Sequence, residues 1–178
     1  MTTPTQKYLL SQFYNQPTLG FNSFSNLIKE MNTTYNLPCH DKLMPDPALP
    51  DRIQSFKSIL QKEIEELDDI FINKDIEYQF SSQLEKGILS EEVLDSYVAL
   101  ADLLGDVVVY CFSEAARHGI EMGPVLYEIM KSNFTKLGED GLPIKDENDK
   151  FLKGPNYVPP EKGIKERLRE NLSDLGKN

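Results

Sequence analysis

The stretch VALADLLGDVVVYCF, residues 98–112, decides the fold class. It is apolar nearly all the way round a helical wheel, as expected of a central helix packed on several sides. Asp102 and Asp106 are its only charged residues. They stand four apart, so both lie on one helical face, one turn from each other. Asp95 sits one turn earlier on that face. Ser90 followed by Glu91 and Glu92 predicts the start of this helix, a hydroxyl cap with negative charge in the first turn. Gly119 predicts its end, as the glycine just beyond the last turn.

A helix from roughly Asp51 to Asn73 is predicted before it. Its apolar set is Ile53, Phe56, Ile59, Leu60, Ile64, Leu67, Ile70 and Phe71. At about 100° per residue, Glu63 falls in the middle of that stripe and Glu66 about 60° to one side, while Glu65, Asp68 and Asp69 point elsewhere. The run KEIEELDD thus divides into two inward carboxylates and three that serve solubility. An earlier helix is expected from about Ser23 to Tyr35. Pro38, Pro45, Pro47 and Pro50 make 36–50 an extended connector. Residues 74–89 read as a polar link, and 1–20 as a loose arm. A fourth helix is expected from Pro124 to about Lys136, and a short charged helix from Pro160 to Leu175. Between them, 138–160 reads as a loop with a small hairpin around DENDK. Alternating strands are absent. The expected architecture is all-α, a bundle of four to five helices in one domain over 21–178 with a C-terminal loop region.

The chain has 178 residues, enough for one domain with a real core. Its net charge of −10 argues against a protein that wraps duplex nucleic acid. The charge is concentrated: residues 51–110 hold five Lys/Arg against fourteen Asp/Glu, whereas 111–178 hold eleven against twelve. No stretch is long and apolar enough to span a bilayer, and the N-terminus lacks the pattern of a signal peptide. With only Cys39 and Cys111, no disulfide framework is expected, and a cytoplasmic location is the default.

Burying one unpaired carboxylate costs roughly several kcal/mol, so four inward carboxylates need either basic partners or cations. Arg52 is the one base in the second helix placed to reach Glu63. Oxygen donors without Cys or His favour Mg²⁺, or Mn²⁺ as a substitute, over Zn²⁺. The plain alternative is a set of salt bridges in a non-catalytic acidic bundle that binds a partner. In the fourth helix, Asn133 is expected to face inward among Leu126, Ile129, Met130 and Leu137, with Lys136 at the edge of that stripe. An amide beside an ammonium suits a nucleotide, though the same two residues also suit a helix end: the amide as a cap, the cation against the dipole. The segment KGPNYVPP, 153–160, is a stiff loop led by Lys153. It reads equally as a lid and as an ordinary loop packed by Tyr157.

In this order the pieces resemble the MazG-like, all-α nucleotide pyrophosphohydrolase superfamily, which includes phosphoribosyl-ATP pyrophosphohydrolase. Glu63-Ile64-Glu65-Glu66 matches its ExxE. Asp102 to Asp106 matches a DxxxD variant of its second acidic motif. Leu103 stands where a strict ExxD would place Glu. Arg52 matches an Arg that commonly precedes the ExxE, and NLIKEMNTTYNLP is similar to the leading helix. Ser132-Asn133-Phe134-Thr135-Lys136 resembles an SNxxK segment, and Lys153-Gly154-Pro155-Asn156-Tyr157 a KGPNY loop. The likeness spans about 21–160. It implies Mg²⁺-dependent hydrolysis of a nucleoside triphosphate to the monophosphate and pyrophosphate, in a homodimer or homotetramer. It further implies that Glu63, Glu66, Asp102 and Asp106 hold the metal, with Glu63 or Glu66 acting on the attacking water. Lys136 and Lys153 would neutralise phosphate charge, and Asn133, Asn156 and Tyr157 would contact the nucleotide.

Overall fold

A computed structural model describes residues 20–71, 91–140 and 142–172. Within them run five helices: α1 Gly20–Thr34, α2 Leu49–Phe71, α3 Glu91–Arg117, α4 Met122–Phe134 and α5 Glu161–Glu170. Among the described residues the only β features are three isolated bridges, so the fold is all-α. The expected arm, the 74–89 link and the Ser90 cap lie outside the described residues, apart from Gly20, which opens α1. The chain divides into two compact units, one of residues 1–45 and 115–178, the other of 46–114.

In the first unit α4 packs against both α1 and α5. Ile28 and Asn32 of α1 are buried, Asn32 completely. The corner after α3 is tied to two other segments. Gly119 adopts φ +67, and a side chain there would run into the carbonyl of Lys42. Only glycine meets both demands, as the C-terminal signal in the sequence required. The amide of His40 donates to Ala116 O at 2.9 Å, and that of Met44 to His118 O at 3.1 Å. The Pro-rich connector therefore runs beside this corner. Asn171 closes the arrangement, its Nδ2 donating to Gly119 O at 2.7 Å while its own carbonyl accepts from Leu43 N.

An ion pair that sequence reading did not single out joins α4 to α5. Glu128 is buried, and Arg167 donates to its Oε1 through Nε (3.1 Å) and Nη2 (2.9 Å). Gly163 lies so close to this carboxylate that a Cβ there would meet Oε2.

In the second unit α2 and α3 carry the apolar periodicity, with two departures from expectation. Phe56, Ile59 and Leu60 are half-buried and Glu63 buried, but Ile53 and Ile64 are exposed. On α3, Val93, Ser96 and Leu103 are buried, with Leu100, Val107 and Tyr110 half-buried on the same face. Leu94, Tyr97, Val98, Leu104 and Val108 form a second apolar stripe that is exposed, so this helix is not enclosed on all sides within one chain.

Candidate functional site

One group of candidate residues, the acidic one, lies on α2 and α3. Glu63 occupies the packed stripe of α2 because its neighbours at helical spacing are apolar, and it is 9% exposed. Tyr110 on α3 lies close enough for Glu63 to act on its hydroxyl. Burial first, then the charge of Glu63, and then the charges of Asp106 and Glu66 push the Tyr110 phenol above its ordinary value. Three of the four predicted carboxylates therefore act on one hydroxyl. Asp102 is one turn from Asp106 on the same face and, like Asp106, Asp95 and Glu66, is exposed.

Arg52 does not neutralise this cluster. It grips Glu114 instead, with Nε 2.9 Å from both carboxylate oxygens and Nη2 2.5 Å from Oε2. Glu114 holds the guanidinium above its ordinary value by this hydrogen bonding. The expectation that Arg52 reaches Glu63 is thereby corrected: a carboxylate on α3, unremarked in the sequence, takes the fork. Among the described residues no Lys or Arg pairs with Glu63, Glu66, Asp102 or Asp106. The described Asp, Glu, His and Cys residues form no closed group of three or more around a metal position. The donor set is all oxygen, with Glu63 buried and Glu66, Asp102 and Asp106 exposed, a chemistry that suits Mg²⁺.

A second group of candidate residues lies at the end of α4. Sequence periodicity places Asn133 inward, but Asn133 is exposed, and the buried residues of α4 are Glu128 and Ser132. The stripe is rotated because the charged contact to Arg167 and the hydroxyl bond of Ser132 face the fold. Ser132 Oγ donates to Val158 O at 2.7 Å. Thr135 Oγ1 accepts from Val158 N at 2.8 Å and donates to Ser132 O at 2.7 Å. Gly154 N donates to Lys136 O at 3.1 Å. The SNxxK and KGPNY segments, some twenty residues apart, are thus clasped along their length. Lys136 is half-buried, and no carboxylate among the described residues pairs with it. Lys153 Nζ sits 4.5 Å from the centroid of the Tyr157 ring. Asn156 is exposed and Tyr157 half-buried.

A concave surface of about 350 Å³ opens beside this clasp. Asn133 and Lys136 supply its polar wall, and Leu137, Pro143, Ile144, Phe151 and Leu152 its apolar wall. Lys153, Asn156 and Tyr157 do not line it. The apolar residues were not legible as a site, because the sequence shows them only as scattered positions in a Gly/Pro-rich loop.

Comparison with known structures finds a chain from Exiguobacterium sp. 255-15 named a "putative NTP pyrophosphohydrolase". It is 21% identical, with a TM-score of 0.43, over 80% of this chain and 92% of that one. No protein-family model matches, and no curated protein matches. At this TM-score the likeness carries no weight, and the functional reading rests on the residues themselves. No helix among the described residues is long and apolar enough to cross a membrane.

Proposed function

We propose that the protein hydrolyses a nucleoside triphosphate, or a related nucleotide, to the monophosphate and pyrophosphate with Mg²⁺. The observation that carries this reading is Glu63: a buried carboxylate with no basic partner among the described residues, acting with Asp106 and Glu66 on the Tyr110 hydroxyl. An uncompensated buried carboxylate costs roughly several kcal/mol, which a bound cation would offset. Glu63, Glu66, Asp102 and Asp106 are the proposed metal ligands. Mg²⁺ bound there would shield phosphate charge and lower the pKa of a water. Glu63 or Glu66 would orient that water and accept its proton as its oxygen bonds to the α-phosphorus and the bond to the pyrophosphate oxygen breaks. Lys136 and Lys153 are the proposed phosphate contacts, neutralising the charge that develops on the phosphate oxygens. Asn133, Asn156 and Tyr157 are the proposed nucleotide contacts.

The exposed stripe of Leu94, Tyr97, Val98, Leu104 and Val108 supports a homo-oligomer, a dimer or tetramer, since a contiguous apolar helix face of this kind marks an association surface. It also suits the second reading, a non-catalytic acidic bundle that binds a partner protein.

Pyrophosphate release from a panel of nucleoside triphosphates, with and without Mg²⁺, separates the two. Magnesium-dependent release that is lost in Glu63→Gln and Asp106→Asn supports the hydrolase. Absence of release from every substrate, with no Mg²⁺ effect on melting, leaves the binding bundle.

A further inference from the structure

The pocket beside the α4 end has the composition of a ligand site. Its apolar wall comes from a hairpin that is held firmly although exposed. Lys145 and Phe151 form an antiparallel bridge, and Leu152 N donates to Ile144 O at 2.8 Å. At the tip, Asp146 Oδ1 accepts from the amides of Asn148 and Lys150, both at 2.9 Å, and Asp149 takes φ +63. At the base, Gly138 N donates to Leu142 O at 2.7 Å. This bracing presents Phe151, 60% exposed, and Leu152, 42% exposed, at fixed positions. The Lys145 ammonium lies 5.2 Å from the centroid of the Phe151 ring, and Leu152 stands exposed beside it.

The opposite wall is polar. Asn133 is exposed, and its amide has no hydrogen-bond partner among the described residues. Lys136 is half-buried without a carboxylate partner there. A volume of about 350 Å³ lies within the usual range for small-ligand pockets of roughly 300–1,000 Å³. The matching ligand has a flat apolar ring, a hydrogen-bonding edge and an anion a few atoms away. Tyr157, the aromatic residue that the sequence favours for stacking, is outside this pocket.

We infer that this pocket binds the nucleoside monophosphate portion of a nucleotide. The base lies against Phe151 and Leu152, Asn133 reads its edge or sugar, and Lys136 pairs with the phosphate. The choice of a nucleotide over another flat anion rests on the hydrolase reading above. The occupant is a small molecule, because the concave volume of about 350 Å³ is that of a small-ligand pocket.

The test is calorimetric titration of the full chain with AMP, GMP, CMP and UMP, and with ribose 5-phosphate as a base-free control, without Mg²⁺. At least one monophosphate is expected to bind. Stacking losses per base correspond to about tenfold in affinity, so Phe151→Ala should weaken that binding by about this factor and leave ribose 5-phosphate unchanged. Because Phe151 is exposed, the variant should keep the wild-type melting temperature. Monophosphate binding that is absent, or equal in Phe151→Ala and wild type, overturns the inference, as does burial of Phe151 in a self-associated species seen by sedimentation. The hydrolase reading is tested separately. Pyrophosphate release with KM unchanged in Phe151→Ala sinks the pocket and keeps the reaction. Monophosphate binding that depends on Phe151, with no pyrophosphate release from any triphosphate, keeps the pocket and sinks the reaction.

Discussion

Gly154 is seated on the backbone of Lys136. Its amide donates to the Lys136 carbonyl at 3.1 Å, and a Cβ on it would lie 2.0 Å from Leu137 O. The obstruction is backbone rather than a flexible side chain, so it cannot swing aside. Gly154→Ala should therefore push the 153–158 loop off the end of α4, at a cost of about 2–3 kcal/mol. Lys153 would move with it, so pyrophosphate release should fall well beyond the loss of folded protein. Thermal melting and kinetics on the same sample check this; a variant with wild-type stability would mean that the clasp is looser than drawn.

Arg52 and Glu114 form a bidentate pair whose side chains are 24% and 14% exposed. Removing one partner from such a pair strands the other, whereas removing both does not. Arg52→Ala should destabilise by about 2 kcal/mol, and Arg52→Met with Glu114→Leu should regain much of that. The guanidinium lies above its ordinary value, so the pair's contribution is present below that value and is lost only as pH rises through the higher folded one. Urea midpoints of the single and double variants should thus differ equally at neutral and mildly alkaline pH. A neutral Arg52→Ala would assign the pair no structural weight.

Arg167 and Arg169 are neighbours on α5 with different surroundings. Arg167 forks onto buried Glu128, while Arg169 is exposed. Arg167→Ala should lower the melting temperature, and Arg169→Ala should leave it near wild type. Gly163→Ala should behave like Arg167→Ala, because its methyl group would press on the Glu128 carboxylate that Arg167 holds in place. Equal melting of both arginine variants would mean that Glu128 is satisfied without Arg167.

The helices were legible in the sequence where local chemistry acts alone. Gly119 marked the end of α3 through its positive φ, and the Pro-rich 36–50 separated α1 from α2. The position of Glu63 in a packed stripe followed from its neighbours at 3.6-residue spacing. What failed depended on tertiary partners. The wheel of α4 aimed Asn133 inward because it weighed only apolar residues, but Glu128 and Ser132 face the fold through Arg167 and Val158, which lie far along the chain. Arg52 and Glu63 stand about 16 Å apart along the axis of α2, three turns, too far to pair, and nothing in the sequence announces that Glu114, 62 residues on, binds Arg52. The apolar runs of α3 indicated burial, yet periodicity cannot say whether the neighbour that covers an apolar face belongs to the same chain.

Glu63 offers the sharpest test of what the acidic face is for. Its carboxylate is buried and acts, with Asp106 and Glu66, on the Tyr110 hydroxyl. Glu63→Gln keeps an oxygen near Tyr110 and removes the charge, so without metal it should melt at or above wild type, by up to about 1 kcal/mol of stability. Millimolar Mg²⁺ should then raise the melting temperature of wild type but not of the variant, reversing their order. Tyr110→Phe, which leaves all the carboxylates in place, should keep the Mg²⁺ response. If Glu63→Gln is strongly destabilised without metal, the carboxylate is satisfied by groups of the fold, and the metal assignment loses its physical basis.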